Sequence, residues 1–170
     1  MIVRLLGALL IVVLSAAASH AFVLESGEGR FTVEMPAKPE FKLRRIQRER
    51  DGAIFESNEW RLDQPWVTWL VSYRDYAPTA ADATAEKMFE RVLQELPVIL
   101  DGELRYHKFF ERKGARALEI RIYVPRNRML LRSHIIVSGL RRYVVSYVGP
   151  DGTETNATVE TFLKSFHVLP

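Results

Sequence analysis

The chain has 170 residues, carries 24 Lys and Arg against 21 Asp and Glu for a formal charge of +3, and contains no cysteine. That charge is too small to imply a nucleic-acid or other polyanion partner, and 48% hydrophobic with 26% charged residues excludes a disordered chain. Without thiols there are no disulfide staples or thiolate metal sites, so stability has to come from burial.

Arg4, the apolar run over 5–14 and the small-residue tail Ala16-Ala17-Ala18-Ser19-His20-Ala21 read as a secretory signal with cleavage after Ala21. The apolar run is shorter than the roughly 20 residues that cross a hydrocarbon core. An uncleaved anchor starting at Ile2 is the contrasting reading. Cleavage leaves residues 22–170 as a single exported domain, periplasmic or secreted, with no later stretch long enough to span a membrane.

After Gly27-Glu28-Gly29, read as a flexible lead, Phe31-Thr32-Val33-Glu34-Met35 alternates as a strand and stops at Pro36. Residues 42–50 and 53–61 flank Asp51-Gly52, which suits a type I′ hairpin. Arg44, Arg45, Arg48 and Arg50 read as a solvated strand face that discourages edge pairing; a patch for anionic lipid or nucleic acid is the other reading. Residues 66–75 continue the meander, with Val67, Trp69, Val71 and Tyr73 on one face and Trp66, Thr68, Leu70 and Ser72 on the other.

The period then changes. Ala81, Ala85, Met88, Phe89, Val92, Leu93 and Leu96 form one helical stripe, with Thr79 and Asp82 as the expected cap and Pro97 as the expected stop. Four strands follow over 103–112, 115–124, 129–137 and 140–148, separated by turns short enough to make them antiparallel neighbours in one sheet. Beyond Asp151-Gly152, Val159, Phe162, Leu163 and Phe166 repeat at helical spacing. The fold class is therefore α+β, a central antiparallel sheet packed by helices.

Gly29-Arg30-Phe31-Thr32-Val33-Glu34-Met35-Pro36-Ala37-Lys38-Pro39, the strand end Val71-Ser72-Tyr73-Arg74-Asp75-Tyr76 and the closing Phe162-Leu163-Lys164-Ser165-Phe166 resemble the PsbP-like group of small exported bacterial domains. That group shares its fold with the photosystem II extrinsic protein P and a Ran-binding nuclear transport factor. The resemblance implies an α/β/α sandwich and, for most members, no assigned activity. It supplies no catalytic residues, and photosystem partners do not follow from a shared fold.

His107, His134 and His167 are far apart in sequence and form no metal-ligand spacing, so no metal or cofactor is expected. His107 reads as a strand residue and His167 as a helix-end residue favoured by the helix dipole. Strand alternation gathers Glu119, Arg121, Arg132 and His134 into a polar patch. The patch is either a set of cross-strand ion pairs or a site for a small anionic ligand, since Arg forks match carboxylate and phosphate. Trp66 lies near Pro65 and, if exposed, is the first candidate for a binding anchor.

No catalytic set converges in the sequence. Ser133 and His134 are adjacent and so face opposite ways, which leaves Ser72 as the serine to pair with His134. The expected function is a non-enzymatic binding or accessory domain of the cell envelope, acting on an envelope protein or a small anionic ligand. The alternative is a small hydrolase or ligand-transforming enzyme using His134 with Glu119 or a nearby serine.

Overall fold

Successive side chains of a strand face opposite ways, and directly paired residues on neighbouring strands share a face, so strand register decides what lies under each helix. The computed structural model describes residues 21–47, 54–78 and 84–170. In chain order these form β1 (Phe22–Ser26), β2 (Phe31–Met35), β3 (Glu40–Gln47), β4 (Ile54–Gln64), β5 (Val67–Asp75), α1 (Ala85–Ile99), β6 (Glu103–Arg112), β7 (Ala115–Val124), β8 (Met129–Ser138), β9 (Arg141–Pro150), α2 (Ala157–Ser165) and β10 (His167–Val168). The fold class is α+β, as the alternation implies: a large antiparallel sheet packed by two helices.

Seven antiparallel strands run in the order β3-β4-β5-β9-β8-β7-β6. On one face the pairs Trp69–Tyr147, Val71–Val145 and Tyr73–Tyr143 bring apolar and aromatic side chains of β5 and β9 together. This face packs against Val159, Phe162 and Leu163 of α2 and against Phe31, Val33 and Met35 of β2. On the other face Leu118, Ile120 and Ile122 of β7, with Ile135 and Val137 of β8, pack against Met88 and Phe89 of α1. Trp69 and Tyr73 are core residues, as alternation requires.

The four strands expected as neighbours over 103–148 lie side by side in the large sheet, as β9-β8-β7-β6, while β1, β2 and β10 make a separate three-stranded sheet, because β10 follows α2 and pairs with β2 through His167–Thr32 and Val168–Phe31. Three expectations change. The Gly27-Glu28-Gly29 lead is a fixed turn between β1 and β2. The Gly29 amide donates to Ser26 Oγ at 2.9 Å, and Tyr143 Oη donates to the Gly29 carbonyl at 2.9 Å. A Cβ at Gly29 would meet the Phe31 ring at 2.6 Å, so glycine is needed there for close approach.

Pro97 lies inside α1 rather than ending it. A proline removes only its own N–H and restricts the residue before it, so the last turn still closes, with Leu100 N–H donating to Leu96 O at 3.1 Å and Gly102 N–H to Pro97 O at 2.9 Å. His167 is not at a helix end but in β10. Thr79 and Asp82, Arg48 and Arg50, the Asp51-Gly52 turn and the signal segment through His20 lie outside the described residues. Within them Thr84 is the N-cap of α1, its side chain accepting from the Lys87 amide at 3.4 Å. Among the described residues no helix is long and apolar enough to cross a membrane.

Phe31 joins the two sheets. It is fully buried, with ring centroids of Trp60, Phe166 and Tyr143 at 5.2, 5.4 and 6.1 Å. Phe31→Ala is expected to lower stability by about 3–5 kcal/mol, read by urea denaturation; a loss below about 1 kcal/mol would show that the small sheet does not help hold the core.

Candidate functional site

Register assembles the polar patch that alternation implies. Glu119 of β7 pairs directly with His134 of β8, and Arg121 with Arg132. Their cross-strand neighbours on β9 are Val145 and Tyr147, so the patch lies on the α2 face of the sheet, inside a mostly apolar layer.

Arg132 is 5% exposed and is held on three sides. Its Nε donates to Glu119 Oε1 at 2.9 Å, and its Nη1 donates to the Glu154 carbonyl at 2.9 Å and to Glu160 Oε1 in the first turn of α2. Arg121 donates from Nε and Nη2 to the same Glu119 oxygen at 3.2 and 3.0 Å. Burial alone would raise the Glu119 carboxyl, but contact with the His134 ring and the Arg132 and Arg121 guanidinium groups overrides it and brings the pKa down to about 2.

His134 is also 5% exposed. Arg112 Nη2 approaches its Nδ1 at 3.4 Å, and since a guanidinium only donates, Nδ1 is the acceptor and the proton sits on Nε2. Nε2 points toward Glu119 Oε2 at 3.5 Å, too long for a formed hydrogen bond. Burial, reinforced by the Arg112 and Arg132 charges against the opposing pull of Glu119, depresses the His134 pKa and keeps the ring neutral. The Phe110 ring packs against it at 5.1 Å.

Sequence reasoning missed Arg112 and Glu160. Arg112 Nη1 donates to the Leu163 carbonyl at 2.8 Å and to the Phe166 carbonyl at 3.3 Å, satisfying carbonyls that the end of α2 leaves open. Two arginines of the sheet thus grip α2, Arg132 at its start and Arg112 at its end, with His134 and Glu119 between them. Alternation from Phe110 places Arg112 on this face; Glu160 carried no signal, because it joins through α2 packing rather than local spacing.

The serines of the enzyme reading do not join the patch. Ser133 faces the other way and its Oγ lies 2.5 Å from Ser146 Oγ. Ser72 pairs with Val144, which pairs with Ile135, so it lies on the face opposite His134. Glu119, held ionised, has no proton to give near neutrality. Among the described residues no group of three or more metal-ligating side chains converges. His167 is depressed by burial and by the Lys113 and Arg112 charges, the reverse of the expected dipole effect.

Trp66 stands apart from the patch, in the turn between β4 and β5, where Gln64 pairs with Val67 and Pro65-Trp66 forms the tip. It is 80% exposed, with φ of 68°. With Pro65 fixed near −65°, this is the pattern of a type II turn, whose second central position favours glycine or asparagine. A tryptophan there is strained and leaves a large apolar ring in water.

No family model and no curated relative matches the chain. Among solved structures it is similar to the solution structure of cyanobacterial PsbP (CyanoP) from Synechocystis sp. PCC 6803, with a TM-score of 0.60 at 12% identity, covering 91% of this chain and 95% of that one. A crystal structure of a protein of unknown function from Pseudomonas aeruginosa aligns over 79% of this chain and 86% of that one, at 14% identity and a TM-score of 0.45. The first likeness shows a PsbP-like fold, the architecture the sequence resemblance implies.

Two predictions follow from the buried network. Arg132→Ala leaves Glu119 and Glu160 without their shared cation and is expected to cost about 3–5 kcal/mol by chemical denaturation; a change within about 0.5 kcal/mol contradicts it. The depressed Glu119 pKa gives stability present above the ordinary carboxylate value of 4.5 and lost as pH falls toward about 2. His134 stays neutral in the fold but takes up a proton on unfolding, so stability also declines as pH drops below the ordinary imidazole value of 6.5. His167 adds to this decline with the same sign. The melting temperature should therefore begin to fall below about pH 6.5, more gently in His134→Gln; identical slopes would show that His134 does not titrate with unfolding.

Proposed function

We propose that the chain is an exported, non-enzymatic accessory domain that binds another component of the cell envelope through the Trp66 hairpin tip. The observation that carries this reading is an 80% exposed tryptophan at φ of 68°. A glycine would make the Pro65 turn at lower conformational cost, so folding gives no reason for an indole there. Binding does: a tryptophan can bury about 150–250 Å² against a partner and is among the side chains most often found as binding anchors.

In this reading Glu119, Arg121, Arg132 and His134 form the frame that fixes α2, and Arg121 is the member nearest to making outside contacts, since its side chain keeps 26% of its exposure. Residues 1–21 are the export signal. The PsbP-like fold is compatible with an accessory role but does not assign one.

Trp66→Gly tests the reading. It restores the preferred residue of a type II turn and is expected to raise stability by about 1 kcal/mol while weakening retention of the envelope partner about thirtyfold or more. A photo-crosslinker placed at Trp66 should capture one defined species from the native envelope, and envelope-isolated protein should begin at Phe22. Undiminished partner retention by Trp66→Gly, or catalytic turnover by the purified chain, would overturn the reading.

A further inference from the structure

At the end of the sheet opposite Trp66, a cavity of about 790 Å³ opens between the β6–β7 turn, the β8–β9 turn, the first turn of α1 and the segment after β10. Its polar lining includes Arg30, Lys113, Arg116, Thr84 and Ser138. Arg116 pairs with Glu86 of α1. In the adjoining cavity Asp75 is held by Arg141 at 2.6 and 2.7 Å. Among the described residues Lys113 has no ion-pair partner, and Arg30 gives its Nε to the main-chain carboxyl oxygen of Pro170 at 3.2 Å. Lys113 and the remaining Arg30 donors, Nη1 and Nη2, therefore share one cavity in which the Pro170 carboxyl is the acidic group.

Both cations are held at a conformational cost. Arg30 has φ of 52° and Lys113 φ of 47°, the left-handed region that favours glycine or asparagine. Lys113 precedes Gly114 at φ of 81°, so both central residues of this two-residue turn are left-handed, the type I′ pattern in which Asn-Gly is the least strained choice. Among the described residues Lys113 makes no ion pair that would offset the strain of its turn. Burial, and then the Lys113 and Arg112 charges, push the His167 imidazole pKa down.

We propose that this cavity binds the phosphate group of a small ligand, with Arg30 and Lys113 as the charged contacts and the hydroxyls of Thr84 and Ser138 as further donors. The volume exceeds that of a lone phosphate, and Val137 and Val168 supply an apolar wall for the rest of the molecule. A soluble phosphate ester and a phospholipid headgroup present the same chemistry. The site is separate from the Trp66 tip and does not depend on it.

Inorganic phosphate titrated into the purified protein, followed by amide NMR, should give saturable shifts at Gly114 and Gly139. Lys113→Asn and Arg30→Asn keep residues that tolerate left-handed φ, so both variants should fold, and each should weaken phosphate binding about tenfold. Trp66→Gly should bind phosphate as the unsubstituted chain does, which separates this proposal from the accessory-domain reading. Flotation with phosphatidylglycerol and phosphatidylcholine vesicles identifies the source. Charge-selective vesicle binding that phosphate displaces and Lys113→Asn abolishes supports a headgroup; phosphate binding without vesicle binding supports a soluble ester. The proposal is overturned if phosphate gives no saturable shift at millimolar concentration, or if the Arg30→Asn, Lys113→Asn double variant binds it unchanged.

Discussion

The fold depends on Arg132 finding two carboxylates at once, Glu119 on the neighbouring strand and Glu160 on α2. A nine-residue helix does not persist alone in water, so α2 has to be held by what it packs on. The sheet face beneath it is apolar except for a stripe of charge, and charge in that layer is tolerable only when paired and hydrogen-bonded. Arg132 and Arg112 meet that condition by gripping the two ends of the helix. The position of α2 in turn delivers β10 to β2, which closes the small sheet and seats Phe31 against Phe166.

This use of the buried charges separates structural from functional chemistry. The center of the sheet is mostly buried, and its charged groups are held by one another and by the carbonyls of α2. Side chains that the fold does not need stand at the two ends of the strands, roughly 30 Å apart for nine-residue strands at about 3.3 Å per residue. Trp66 marks one end, and Arg30 with Lys113 marks the other. All three hold left-handed backbone positions where a smaller residue would be less strained, so local conformational cost coincides with surplus binding chemistry at both places.

Much of the architecture was legible because strand alternation and helical spacing act over a few residues. The β5 faces, the β6–β9 meander and the α2 stripe needed nothing beyond that, and the same alternation gathered Glu119, Arg121, Arg132 and His134. The rest depended on distant segments. The three-stranded sheet requires β10 to return to β2, far away in sequence, and Glu160 meets Arg132 only once α2 has docked. Gly29 read as slack because its tight approach to Phe31 exists only in the folded chain, and Pro97 read as a stop because a proline's effect falls on the preceding turn rather than on the residues after it. The strain at Trp66, Arg30 and Lys113 is a property of backbone angles, to which side-chain patterning is blind.

Native-state hydrogen exchange tests the central claim most directly. If Arg132 and Arg112 fix α2 to the sheet, the inner amides of α2 exchange only with global unfolding, at the same free energy as the slowest amides of β8 and β9, and they lose that protection selectively in Arg132→Met. Exchange of α2 well before the sheet in the unsubstituted chain would contradict the account, because the helix would then be an appendage and not the element that closes the fold.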